Sequence, residues 1–120
     1  MPEKFSISSA FARITELESP QVVAEVNEFQ VKCVKLKGPF VWHSHADEDE
    51  LFYVVKGQLK MQFRDGDVIL EPGEMIVVPH GVDHCPVAEH ETHVILFERN
   101  TTKRTGNLAN DTLRDILDHF

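Results

Sequence analysis

Residues 38 to 57 read GPFVWHSHADEDELFYVVKG, and residues 73 to 84 read GEMIVVPHGVDH. The first stretch contains His43 and His45, which are separated by a single residue. On a strand this spacing puts both imidazoles on the same face, because successive side chains point to opposite sides. On a helix the same two side chains would point roughly 200° apart and could not share an ion. The apolar residues just before His43, and the Gly-Pro break in front of them, favour the strand.

Two more residues complete a candidate metal site. Glu50 opens an apolar strand in which it shares a face with Phe52 and Val54, so its carboxylate is predicted to point the same way as the two histidines. His84 follows a second apolar run. Although His80 and His84 have the spacing of a helical metal pair, the Pro and Gly residues around them argue for a turn that delivers His84 alone.

The candidate ligands form a mixed nitrogen and oxygen set of three imidazoles and one carboxylate. They are His43, His45, Glu50 and His84. Such a set suits one divalent transition metal, Fe, Mn, Ni, Co, Cu or Zn, rather than Ca or Mg. Burying these groups without an ion would be costly. The acidic residues 47 to 49 precede the strand and are predicted to form a solvated loop.

The same residues resemble the two signature motifs of the cupins. The first motif falls on Gly38, His43, His45, Glu50 and Gly57, and the second on Gly73, Pro79, Gly81 and His84. This sequence departs from the pattern in having four residues rather than five between Gly38 and His43, and Ala88 where an Asn often closes the second motif. The resemblance covers roughly residues 31 to 98. It implies an all-β fold, a cupin-type antiparallel β-barrel (jelly-roll), with a metal ion bound inside by the four ligands.

Side chains alternate in direction along each predicted strand, which predicts one inward face that serves as both core and pocket wall. Its members are Val41, Phe52, Val54, Leu59, Met61 and Phe63. No Lys, Arg or Tyr is among them. Because a sugar phosphate would need an inward cation, this face favours an apolar or aromatic substrate.

We therefore expect a metal-binding, single-domain cupin that acts on or binds a small organic molecule, with dioxygenase-type chemistry as the leading reaction. A six-coordinate ion with four protein ligands would leave up to two positions open for substrate or O₂. One alternative is a non-catalytic small-molecule-binding or regulatory cupin. A further alternative is a sugar or sugar-phosphate isomerase-like enzyme. The sequence singles out no catalytic residue besides the candidate ligands.

The composition excludes some classes of binding partner and indicates a cellular location. The formal net charge of −8 over 120 residues makes nucleic acid or an anionic membrane an unfavourable partner. No apolar run approaches the ~18 residues of a membrane span, and the first residues contain no signal-peptide core. Cys33 and Cys85 could pair, but two cysteines without an export signal favour free thiols. We therefore expect a cytoplasmic protein.

The pattern of apolar and polar residues divides the chain into three segments. Residues 1 to 30 are expected to form an N-terminal arm and first strand, residues 31 to 99 the cupin barrel core, and residues 100 to 120 a C-terminal loop and short helix that packs on the barrel. The arm is rich in apolar residues. Phe40 and Trp42 alternate with the ligand face, so we expect them on the outer surface. Because these apolar groups need covering, the sequence predicts a homodimer.

Overall fold

The computed structural model describes residues 1 to 108, and most of its regular structure is antiparallel β-strand. A short helix, α1 at Ile7–Ala12, begins at Ser6, whose hydroxyl accepts a hydrogen bond from the backbone N–H of Ser9. Nine strands follow among the described residues: β1 Gln21–Val26, β2 Phe29–Pro39, β3 His43–Ser44, β4 Glu50–Lys56, β5 Leu59–Phe63, β6 Gly66–Leu70, β7 Met75–Val78, β8 His84–Arg99 and β9 Asn107–Leu108. The predicted all-β jelly-roll class is confirmed. The predicted C-terminal helix lies outside the described residues.

Strand β8 is the central element of the sheet, because it pairs with four other strands. Its first half lies against β5 and against β3, where His84 is opposite His43. Its second half lies between β2 and β4, with Val94 opposite both Val34 and Val54. All these pairings are antiparallel. One strand therefore connects the start of β3, at His84, with the strand β2, at Leu96 and Glu98 near its own end.

The main core consists of apolar side chains on the inward faces of these strands. Val54, Leu59 and Met61 are completely buried, and they pack in one cluster with Val34 and Leu96. The burial of alternate residues in β5 follows the pattern that the sequence predicts. This core fills the space behind the candidate ligands and holds the strands that carry them.

The N-terminal segment is held against the sheet by a second apolar cluster. Phe11 and Ile14 pack on Cys33, whose side chain lies on the face of β2 opposite to the main core. Cys33 and Cys85 are both buried and unpaired, which agrees with the prediction of free thiols. Within residues 1 to 108, no helix is long and apolar enough to cross a membrane.

Candidate metal centre

The four predicted ligands converge because each lies at or next to the end of a strand. His43 begins β3, His45 follows that strand, Glu50 begins β4 and His84 begins β8. One ligand atom of each residue lies within 4.8 Å of the others, and all four side chains are buried. The strand ends thus gather three nitrogen donors and one oxygen donor in a cluster that could hold a metal ion.

Backbone carbonyls orient two of the imidazoles. Nδ1 of His43 lies 2.8 Å from the carbonyl oxygen of Val41, and Nδ1 of His84 lies 2.9 Å from that of Val82. Because a carbonyl oxygen can only accept, each Nδ1 carries a proton and donates it. In the neutral ring, Nε2 then keeps its lone pair. This is the usual arrangement in metal-binding histidines.

Three buried ring nitrogens have no hydrogen-bond partner among the described residues. They are both ring nitrogens of His45 and Nε2 of His84, and the two Nε2 atoms each lie 3.6 Å from Oε1 of Glu50. Leaving such an atom unsatisfied costs about 1–3 kcal/mol. Ligand atoms bound at about 2.0–2.2 Å from one ion lie about 3.0–4.2 Å apart. The two separations of 3.6 Å therefore fit ligands of a shared metal ion.

Electrostatics keep His43 and Glu50 in protonation states suited to metal binding. Burial, together with the neighbouring His84, lowers the pKa of His43 to about 4, so this ring is neutral near pH 7. Burial alone would raise the pKa of Glu50. Interactions with His45, His84 and Glu98 outweigh that effect and hold the pKa of Glu50 below its ordinary value. Metal ions bind neutral imidazole and ionised carboxylate, and both are present.

A buried Lys–Glu pair beside the cluster was not predicted from the sequence. Nζ of Lys32 lies 2.8 Å from Oε1 of Glu98, whose side chain is 4% exposed. Burial and the adjacent Glu50 raise the pKa of Glu98 to about 8, against the opposing effect of Lys32. Lys32 has the same parity along β2 as the inward Val34, and Glu98 the same parity along β8 as Leu96. Extending the alternation by two residues would have placed both side chains inward.

A cavity of about 60 Å³ adjoins the cluster and the Lys–Glu pair. Its lining residues are Glu18, Pro20, Lys32, Val34, Leu36, Phe40, His43, Glu50, Phe52, Pro86, Leu96, Glu98 and Arg104. Most of the wall is apolar. The expectation that no cation faces inward is wrong, because Lys32 reaches this cavity from β2.

Of the six residues predicted to line a pocket, Phe52 lines this cavity. The other five are not among its lining residues. Val54, Leu59 and Met61 belong to the main core, Phe63 packs against it, and Val41 is half-buried. The difference has a geometric reason. Apart from Pro86, the residues of β8 that line the cavity are Leu96 and Glu98, which lie in the half that pairs with β2, whereas β5 pairs with the other half. The inward residues of β5 therefore pack as core.

The sequence predicts Phe40 on the outer surface, but the structure places it beside the cluster. Its ring lies edge-on to that of His43 with centroids 5.3 Å apart, and the guanidinium of Arg104 lies 4.8 Å from its centroid. Strand β2 ends at Pro39, so the alternation does not continue to Phe40. Trp42 instead stacks with a second cation, because the guanidinium of Arg64 lies 4.0 Å from its ring centroid.

Three contacts join the loops that carry the ligands. The backbone N–H of His80 donates to Oδ1 of Asp49 at 2.8 Å, and Nδ1 of His80 lies 2.8 Å from the same oxygen. The backbone N–H of Gly81 donates to the carbonyl oxygen of His45 at 2.7 Å. The turn that precedes His84 is thereby attached to the loop between β3 and β4. We call this set of contacts the loop clasp.

The segment after β8 covers His45. Strand β9 pairs with β3, which brings Gly106 against the His45 ring. Gly106 has a φ of +50°, and a Cβ atom at this position would lie 2.7 Å from Nδ1 of His45. Glycine satisfies both the backbone conformation and the close approach. This segment thus shields one ligand of the cluster from solvent.

Residues 32 to 105, more than half of the chain, match the family model of the cupin domain. The protein belongs to the cupin family. A cupin-2 domain containing protein from Shewanella frigidimarina NCIMB 400 shares 43% sequence identity with this cupin at a TM-score of 0.79, over 80% of this chain and 94% of that one. Protein NMB1881 from Neisseria meningitidis shares 32% identity at a TM-score of 0.74, over 82% of this chain and all of that one (100%).

Among curated proteins, this cupin is similar to the uncharacterized protein YdbB of Bacillus subtilis (strain 168). The two are 35% identical over 63 residues, which are 52% of this chain and 56% of YdbB. The match thus spans just over half the length of that relative. It carries no information on a reaction.

Proposed function

We propose that this cupin binds one divalent transition metal through His43, His45, Glu50 and His84, and uses it to bind and transform a small organic molecule. The observation that carries the proposal is the buried cluster, in which one donor atom of each residue lies within 4.8 Å of the others. Backbone carbonyls hold the Nδ1 protons of two of the rings, which directs their Nε2 lone pairs to the cluster. A metal ion would satisfy donors that are otherwise buried without partners.

The ligand chemistry supports a transition metal rather than Ca or Mg, because imidazole nitrogen predominates. Fe, Mn, Ni, Co, Cu and Zn all suit such a set. In nitrogen-rich sites affinity favours Cu, Ni and Zn. The metal found after purification therefore need not be the one used in the cell.

When bound, such an ion supplies Lewis-acid polarisation of a substrate oxygen or a position for O₂ beside the substrate. The protein contributes the cavity, in which Phe40, Phe52 and Leu96 form apolar wall and limit access of water. An apolar wall next to the ion suits an organic substrate with a hydrophobic part. Dioxygenase-type chemistry is therefore our leading reaction.

The Lys32–Glu98 pair favours a second candidate, proton-transfer chemistry of the sugar or sugar-phosphate isomerase type. Burial and Glu50 raise the pKa of Glu98 to about 8, so its carboxyl group can hold a proton near neutral pH and exchange it. Lys32 adds a positive charge to the same cavity. The sequence-based argument against this class was the absence of an inward cation, and that argument no longer applies.

Metal analysis is the first test. After expression in metal-supplemented medium and desalting without chelator, we expect about one equivalent of metal per chain, as for a single four-ligand site. Less than about a tenth of an equivalent would overturn the proposal.

The second test separates the reaction classes. The loaded protein is incubated with diketones, polyphenols and sugar acids while oxygen uptake and products are followed. Product formed with oxygen uptake supports the dioxygenase. Product formed without it supports the isomerase. Ligand binding without turnover would support the non-catalytic small-molecule-binding or regulatory cupin.

A further inference from the structure

The cavity beside the cluster is small and has two kinds of wall. Its volume of about 60 Å³ corresponds to about four to six water-sized positions at about 10–15 Å³ each. Val34, Leu36 and Leu96 form an apolar side, whereas Lys32 and Glu98 form a polar side. A molecule that fits has about as many non-hydrogen atoms as there are water-sized positions, with one apolar end and one polar end.

Two cations line the cavity at different depths. The side chain of Arg104 is 48% exposed and lies 4.0 Å from Oε2 of Glu18, so it stands at the mouth. The side chain of Lys32 is only 15% exposed and lies 2.8 Å from Glu98. An ammonium group has three N–H donors, and Glu98 accepts from one of them. Lys32 is therefore the inner cation and can still donate to a ligand.

A bound metal gives the cavity wall an excess of positive charge. Lys32 and Arg104 contribute two positive charges, and three carboxyl groups contribute at most three negative charges. These groups belong to Glu18, Glu50 and Glu98. A divalent ion adds two positive charges, so the loaded wall has an excess of at least one positive charge. A charge in a desolvated site needs a partner, so the loaded cavity favours an anion.

We propose that the ligand of this cavity is a small monocarboxylate with an apolar tail, whose carboxylate contacts the ammonium group of Lys32. This inference rests on the proposed metal site, because the ion supplies the positive excess, and it names the ligand class of that site. A phosphate group has no apolar part to contact the apolar side of the cavity, and it takes more donors than Lys32 offers. A neutral molecule of the same size would leave the positive excess uncompensated.

Calorimetric titration of the metal-loaded protein tests the ligand class, after elemental analysis has shown about one equivalent of metal. Butyrate and butyramide are the probes, because they have the same size and differ in charge. We expect butyrate to bind at least about 10-fold more tightly, which corresponds to about 1.4 kcal/mol. Inorganic phosphate is the third probe and should bind more weakly than butyrate. Equal affinities for butyrate and butyramide, or tighter binding of phosphate, would overturn the proposal.

Substitutions test the contact with Lys32. Lys32→Met keeps most of the side-chain length and should weaken butyrate binding about 10-fold, with butyramide unaffected. Because this change leaves the Glu98 carboxylate without its cation, the double variant Lys32→Gln with Glu98→Gln is measured as well. It removes the ammonium group and the carboxyl group together, so that neither is left without its partner, and it should lose butyrate affinity to a similar extent. Lys56→Met removes an exposed charge outside the cavity and is the control.

The outcomes separate the two proposals. If both Lys32 variants keep their metal, their melting temperature and the butyrate affinity of the wild type, the assignment of Lys32 is wrong and the metal site stands. If the wild-type protein takes up no metal, the proposed function fails, and this inference fails with it before any ligand is added.

Discussion

Glu50 is one of four consecutive acidic residues, and burial distinguishes it from the others. Its side chain is 6% exposed and its Oε1 lies 3.6 Å from two ring nitrogens, whereas Glu48 lies outside the cluster. Glu50→Ala should weaken metal binding about 10-fold or more, because it removes the anionic ligand. Glu48→Ala is the control and should bind metal like the wild type. Competition with a metal-binding dye measures both, and equal losses would contradict the assignment of Glu50.

Glu98 allows a prediction for pH dependence in the metal-free protein. Its pKa is raised from 4.5 to about 8, so the folded protein keeps this proton at pH values where the unfolded chain has lost it. The stability contributed by the protonated group is therefore complete below about pH 4.5 and is lost as the pH rises through about 8. Glu98→Gln mimics the protonated group, so its stability relative to the wild type should increase over this window.

Urea denaturation of both proteins at about pH 5 and about pH 8, with a chelator present, measures this change through the free energy of unfolding. The comparison with Glu98→Gln is needed because the buried His43 acts in the opposite direction: its lowered pKa removes stability as the pH falls from 6.5 to about 4. That effect is common to both proteins and cancels. A difference between the two proteins that stays constant with pH would contradict the raised pKa of Glu98.

At the level of elements, the cluster depends on how the loop clasp aligns two segments. His84 can join the other ligands only when the turn before β8 lies beside the loop between β3 and β4. Asp49→Ala removes the oxygen to which both His80 groups bond, and should lower metal affinity about 2- to 5-fold, since exposed pairs contribute little. Asp47→Ala, in the same exposed loop, should have no effect. An Asp49→Ala loss as large as that of Glu50→Ala would instead make Asp49 a ligand.

At the scale of the whole molecule, strand β1 leaves one edge of the sheet open. Among the described residues β1 pairs with β2 alone, and Val22 and Val26 are 49% and 50% exposed. Phe40 lies beside the cluster and no longer counts toward the apolar surface that a partner would cover. The open apolar edge remains a reason for association. We therefore keep the prediction of a homodimer and propose that its interface lies at β1.

Light scattering at micromolar concentration measures the mass directly, and we expect twice the mass of one chain. Val26→Lys places a charge on the β1 edge and should give a monomer. Val68→Lys, at a 40% exposed position on β6, should leave the dimer intact. A wild-type monomer would contradict the prediction, and a dimer that persists in Val26→Lys would move the interface away from β1.

The sequence by itself determined the fold class and the candidate ligands, because both depend on local patterns. Period-two alternation of apolar residues assigns the faces of β4 and β5 without knowledge of their partners. His43, His45 and Glu50 lie within eight residues, so one strand–turn–strand unit brings them together. The prediction of His84 as a ligand depended on the turn signals around Pro79 and Gly81, which are local as well.

Only the tertiary structure decided what stands beside these ligands. Lys32 and Glu98 are far apart in the chain and meet because β2 and β8 pair in a register that sets Gln30 opposite Glu98. Arg104 and Phe40 are also far apart in the chain, and they meet from segments outside the regular strands. Alternation tells which way a side chain points along its own strand. It does not tell which strand lies alongside or in which register, because strand pairing depends on the packing of the whole chain.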